Sequence, residues 1–109
     1  MITIDERQIQ LQANATTKHE AIRLAGQLLV DKTVQAAKRE GKWVGVCGGI
    51  AGDTKGAAIL MGLGVSELSV SIPSIAAVKA HIRSLSLAEM QSIAQQALQC
   101  RTAAEVRSL

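Results

Sequence analysis

The sequence has no Phe, no Tyr, a single Trp, a single Pro and two Cys among 109 residues. Each shortage excludes something. Without Phe or Tyr there are no platforms on which single-stranded nucleic acid could stack. The 12 Lys and Arg exceed the 9 Asp and Glu by only three, and the cations are scattered rather than blocked, so a nucleic-acid footprint is not expected. Cys47 and Cys100 stand far apart in unlike contexts and make no disulfide framework. Reduced thiols and a cytoplasmic setting are the expectation. No charged-then-apolar leader with a small-residue cleavage site is read at the start. No apolar run reaches the roughly 18 residues of a membrane span. Neither nucleic acid nor membrane is expected as a partner.

What is present is aliphatic. Hydrophobic residues make up 48% of the chain, so the core is expected to be Leu, Ile, Val and Ala, with Trp43 as its only large ring. The length suits one domain at most.

The chain is organised around residues 41–64, G-K-W-V-G-V-C-G-G-I-A-G-D-T-K-G-A-A-I-L-M-G-L-G. Gly41 reads as a helix stop. Trp43 to Val46 reads as a short buried strand ending at Cys47, and residues 47–52 as a glycine-dense turn. A helix follows from about Thr54 to Gly62. A strand end and a helix start converging on one point is how α/β proteins build sites. The pattern G-x-x-G-G-x-x-G over Gly45, Gly48, Gly49 and Gly52 is neither a dinucleotide fingerprint nor a P-loop, so a nucleotide site is not supported. Asp53 is best read as the helix N-cap. Cys47 has two readings, a small buried hydrophobe or a reactive thiol.

Along the rest of the chain, Ile2, Ile4, Ile9 and Leu11 alternate weakly and predict one or two edge strands within residues 1–14. Thr16 or Thr17 caps a helix, with Glu20 at capping-box spacing from Thr17. One continuous helix from about 17 to 40 is expected, the alternative being a break near Asp31-Lys32. Residues 65–71 predict a second strand, parallel to the first because a helix connects them. Glu67, Ser69 and Ser71 share one face of it, which points either into a site or to solvent. Helices follow from Ser74, from the capping box Ser86-Leu87-Ala88-Glu89 and from Thr102 with Glu105.

The blocks W-V-G-V-C-G-G-I-A-G-D, I-L-M-G-L-G-V-S-E-L-S-V-S and S-I-P-S-I-A-A-V-K resemble, in order and spacing, the last part of enzyme I. This is the phosphoenolpyruvate-protein phosphotransferase of the bacterial sugar phosphotransferase system. Many members of that family carry Glu where this chain has Gly49, and in this the chain resembles the multidomain fructose-type enzymes. Residues 1–31, with I-T-I-D-E-R-Q-I-Q-L-Q-A and K-H-E-A-I-R-L-A-G-Q-L-L-V, resemble the opening of a fructose-type enzyme IIA domain. The sequence thus divides into 1–31, an enzyme IIA-like start, and 32–109, the C-terminal part of a phosphoenolpyruvate-binding barrel. An internal deletion or fusion is expected near 31–33.

The resemblance implies an α/β fold: the last two β/α units of a (β/α)8 barrel with C-terminal helices, preceded by a strand–helix segment. It implies Cys47 at the barrel mouth as the proton donor and acceptor for the methylene carbon of enolpyruvate and pyruvate, with Gly48 and Gly49 as weaker substrate-binding candidates. Phosphoenolpyruvate and a phosphocarrier protein are the partners it implies, and magnesium the cofactor. In the family the arginines and the metal-binding carboxylates come from earlier strands. A whole barrel takes about 250 residues, so this chain alone is expected to bind no magnesium and to be inactive. His19 and His81 match neither phosphohistidine motif and read as surface residues. The alternative function is a non-enzymatic α/β interaction module, rearranged or designed. Two short strands without neighbours leave open edges, so self-association into a homo-oligomer is expected.

Overall fold

The computed structural model describes the backbone of residues 18–109 and side chains from Leu29 onward. The expected edge strands and the Thr16 or Thr17 cap lie outside the described residues.

The first element, α1 (Lys18–Arg39), is a single 22-residue helix that runs unbroken through residues 31–33. Thr33 turns its hydroxyl back onto the carbonyl of Leu29 at 2.7 Å, so a residue that could divert the chain is bonded along the helix instead. Gly41 ends the run with φ 63°, the left-handed conformation that stops helices.

Next come β1 (Gly45–Cys47), a one-turn helix α2 (Gly49–Gly52), α3 (Thr54–Leu63) and β2 (Glu67–Ser69). The strands pair in parallel with Gly45 opposite Glu67, Val46 opposite Leu68 and Cys47 opposite Ser69. The helical crossover therefore yields the parallel pair expected from sequence. Each strand holds only three residues, fewer than the expected 43–46 and 65–71. The glycine stretch differs from expectation as well: it contains α2 rather than an open turn.

Asp53 caps α3 as expected, its carboxylate accepting the Gly56 amide at 2.8 Å. Three helices complete the chain: α4 (Ile72–Ser84), α5 (Leu87–Gln99) and α6 (Ala103–Ser108). At α5 the Ser86 hydroxyl accepts from the Glu89 amide and the Glu89 carboxylate accepts from the Ser86 amide, a full capping box. At α6 the Thr102 hydroxyl accepts from the Glu105 amide, but the Glu105 carboxylate takes the Arg101 amide.

The core has two parts. Ile59 and Leu63 of α3 pack on Ala94 and Ala97 of α5. Leu60 and Val65 pack with Val34 of α1, flanked by Val46 and Leu68 from the sheet and by Val44 just before it. Val30 touches both parts and so ties α1 to each. The helices α3 and α5 approach so closely at Gly62 that a Cβ there would collide with the Met90 carbonyl oxygen and the Ala94 methyl. Only glycine allows this crossing.

Trp43 is not in the core. It is 70% exposed, against the expectation of a buried strand opening at that residue. Its ring lies along the outer face of β1, where a Cβ on Gly45 would come within 3.0 Å of its Cζ3 atom.

Candidate functional site

Strand alternation decides which side chains share a face. Val46 and Leu68 are half-buried against α3 and α1, whereas Gly45, Cys47, Glu67 and Ser69 are all exposed on the other side. The parallel register sets Cys47 beside Ser69 at the C-terminal end of the sheet. Cys47 is therefore an exposed free thiol, not a buried hydrophobe. Glu67 reaches back along this face, its Oε1 lying 3.7 Å from where a Gly45 Cβ would be.

Beyond Cys47 the chain must turn sharply. Gly48 does this with φ 96° and ψ −176°, a conformation that L side chains rarely adopt. Gly49 is different. It opens α2 without a positive φ, and a Cβ built on it meets nothing within 4 Å. The sequence offered both glycines as binding residues; the backbone requires glycine only at Gly48.

The expected meeting of strand end and helix start is altered by α2. This single turn stands between Cys47 and α3, with the Ala51 amide donating to the Gly48 carbonyl at 3.1 Å and the Asp53 amide to the Gly49 carbonyl at 3.2 Å. The first turn of α3 already has a partner in the Asp53 carboxylate. Instead α2 packs against β2 and α4. This brings a further pair of hydroxyls to the same end of the sheet. Ser71 and Ser74 lie 3.0 Å apart at their Oγ atoms, and a Cβ on Gly52 would come within 3.6 Å of the Ser74 hydroxyl. Ser71 does not end the strand, as read from the sequence, but stands at the N-cap of α4. The sequence offered Ser74 only as the start of a helix, which in fact begins at Ile72, and not as a site residue; its spacing from Ser71 across Pro73 was the available signal.

The other candidates separate from this end. Asp53 serves as a cap. His81 is half-buried in the last turn of α4, and the His19 side chain lies outside the described residues. Among the described residues no three His, Cys, Asp or Glu side chains come together in a way that could hold a metal ion. With Asp53 committed to its cap and Glu67 alone on the sheet face, the described donors do not fit a magnesium site. No helix among them is long and apolar enough to cross a membrane.

Residues 2–87 match the family profile described as PEP-utilising enzyme, PEP-binding domain. The chain belongs to this family. The match begins at residue 2 and passes through residues 31–33. Over 81 residues, 74% of its length, the chain is 59% identical to a multiphosphoryl transfer protein of Rhodobacter capsulatus. It is 44% identical over all 109 residues to a multiphosphoryl transfer protein of Xanthomonas campestris. To a phosphoenolpyruvate-protein phosphotransferase of Staphylococcus carnosus it is 43% identical over 81 residues. The matched stretches are 10%, 12% and 14% of these relatives, so the chain spans about a tenth of their length. The resemblance read from the three sequence blocks is thus borne out at the level of family. The described residues, mostly helical with a two-stranded parallel sheet, are compatible with an α/β piece of a PEP-binding domain.

Proposed function

We propose that the chain is the terminal two β/α units of a phosphoenolpyruvate-binding barrel, residues 32–109, preceded by an enzyme IIA-like start over residues 1–31. The reaction it belongs to is phosphoryl transfer from phosphoenolpyruvate to a protein histidine of a phosphocarrier, in sugar uptake. Within that reaction Cys47 handles the proton: its S–H gives a proton to the methylene carbon of enolpyruvate, and the thiolate recovers one from the pyruvate methyl in reverse. The observation carrying this reading is the placement of Cys47, an exposed thiol at the C-terminal end of a parallel strand and on its open face. Barrel enzymes keep their reacting groups at that end. Gly48 and Gly49 follow directly and would bound the substrate there. Magnesium belongs to the complete enzyme in this reading, on carboxylates that the described residues do not supply.

By itself the chain has the proton-handling group without a substrate clamp, and it transfers no phosphoryl group. The outer edge of β1, without a strand partner among the described residues, makes a homo-oligomer the expected state. The function is tested by exchange. Residues 32–109 replace the matching tenth of the Rhodobacter capsulatus relative, and transfer from labelled phosphoenolpyruvate to its phosphocarrier is followed. The chimera is expected to transfer. Cys47→Ala within it is expected to slow transfer by about 10²-fold or more, the usual contribution of a positioned acid–base group. A Cys47→Ala chimera as fast as its parent would refute the assignment.

A further inference from the structure

Cys47 and Ser69 are paired residues of β1 and β2, exposed together on the sheet face turned away from α3 and α1 and at its C-terminal end. Neighbouring strands lie about 4.8 Å apart, so a molecule reacting at the Cys47 thiol is within reach of the Ser69 hydroxyl. That hydroxyl is uncommitted. Among the described residues every other serine hydroxyl has a partner: Ser66 accepts the Val44 amide, Ser71 and Ser74 meet each other, and the rest bond within helices and caps. Glu67, which shares the face, is turned back over Gly45, one pleat away. The pairing does not depend on the open edges of the sheet. Completing a barrel adds strands at those edges and keeps the helices outside, which leaves this face toward the interior.

We propose that Ser69 is a second catalytic residue, its O–H donating to the enol oxygen of the three-carbon acid whose methylene carbon faces Cys47. The inference rests on the proton-handling role given to Cys47. As the S–H proton moves to the methylene carbon, the C=C electron pair forms the new C–H bond. The C2–O bond becomes a carbonyl, and the sulfur keeps the S–H pair as a thiolate. In reverse the thiolate takes a methyl proton and negative charge returns to that oxygen. Ser69 transfers no proton. Its hydrogen bond is strongest when the oxygen is most negative, so it lowers the barrier between ketone and enolate. A three-carbon acid laid across the two strands sets its methylene carbon over the sulfur and the adjacent oxygen toward the hydroxyl.

Exchange of pyruvate methyl protons in deuterium oxide, followed by NMR, tests it in the chimera of residues 32–109 with the Rhodobacter capsulatus relative. Ser69→Val and Ser69→Thr match each other in shape and differ in the hydroxyl. Ser69→Val is expected to slow exchange by about ten- to a hundredfold and Ser69→Thr to stay within about threefold of the chimera, as the loss or retention of a hydrogen bond to a charged oxygen requires. Both should leave alkylation of Cys47 by iodoacetamide, read by peptide mapping, at the chimera's rate. Equal exchange in the two variants overturns the proposal. Slower alkylation in Ser69→Val would mean that Ser69 acts on the thiol rather than on the oxygen, and equally overturns it. Cys47→Ala separates the two readings. If it loses exchange while Ser69→Val exchanges like the chimera, the role of Ser69 alone falls. If Cys47→Ala exchanges as fast as the chimera, the proton-handling reading falls and takes this one with it.

Discussion

The contact between α3 and α5 and the sheet of β1 and β2 lie side by side in one small chain and are built on opposite terms. At the helical contact Ala94 and Ala97 are 0% and 1% exposed, and Gly62 lets the two backbones approach to within a methyl group. Each helix also closes its own N-terminus, α3 with Asp53 and α5 with the box of Ser86 and Glu89. The sheet buries one face only. Its other face presents an exposed ring, a thiol and a carboxylate from Trp43, Cys47 and Glu67. A surface that leaves a tryptophan and a thiol uncovered is suited to a ligand or further structure. The helices supply the scaffold, and the sheet carries the candidate site.

Core substitution should expose this contrast most strongly. Leu60 is 2% exposed at the junction of α1, α3 and the sheet. Leu60→Ala is expected to cost about 3 kcal/mol by urea denaturation, the usual loss for an emptied core site. Trp43→Ala removes a larger side chain, yet should change stability by no more than about 0.5 kcal/mol because the ring is mostly in water. Equal losses would mean that the sheet face is packed after all, and the comparison would fail.

Much of the helical half was legible in the sequence, and the reason is local chemistry. Ser86-Leu87-Ala88-Glu89 and Asp53 announce helix starts because their side chains bond amides three residues away. The continuous helix across 31–33 follows from apolar spacing with no Gly or Pro to interrupt it. Trp43 was misplaced because composition assigns a large apolar ring to the core, whereas the ring here lies along a glycine on an open face. The strands were read too long because apolar alternation marks where a strand could pair; the ladder extends only where a partner is present. The α2 turn was missed because a Gly-Gly start argues against a helix, and its bonds to Gly48 and Gly49 appear only in three dimensions. Cys47 was legible as a candidate, but its exposure was not, since strand end and core position look alike in sequence.

The next effect in size concerns the two glycines that receive a neighbour. Gly62→Ala puts a methyl group onto the Met90 carbonyl, which is backbone and has nowhere to go. A loss of about 2 kcal/mol is expected from such overpacking. Gly45→Ala presses on the edge of an exposed ring that can swing aside, so its loss should stay below about 0.5 kcal/mol. Thermal unfolding of the two variants under one set of conditions makes the test. A costly Gly45→Ala would show that the Trp43 ring is held in place.

Within the candidate site itself Gly48 and Gly49 sharpen the same contrast. Gly48→Ala forces a side chain into φ 96° and should cost about 1 kcal/mol. Gly49→Glu introduces a long charged side chain that meets open space, so stability should remain within about 0.5 kcal/mol. Circular dichroism melts of both variants would check this. A destabilised Gly49→Glu would mean that α2 tolerates no side chain at its first position.

The smallest effect lies at the start of α5, and pH isolates it. The Glu89 carboxylate is held below the ordinary carboxylate range, first by the hydrogen bond from the Ser86 backbone amide and then by its contact with the Ser86 side chain. Both favour the charged form. A carboxyl group whose pKa is lower folded than unfolded binds protons more readily in the unfolded chain. Its contribution is therefore fully present above the ordinary carboxylate pKa and is lost as pH falls through the lowered folded value. The group is fully exposed, so solvent screens it and the effect is small. Melting midpoints of the parent chain and Glu89→Gln, measured from pH 7 down to pH 2, should differ modestly at the top of this range and converge at the bottom. Glutamine can still accept the Ser86 amide, so any difference that remains at low pH reports geometry rather than charge. A gap that stays constant across the range would show that charge adds nothing to this cap, and that the helical half closes its ends by hydrogen-bond shape alone.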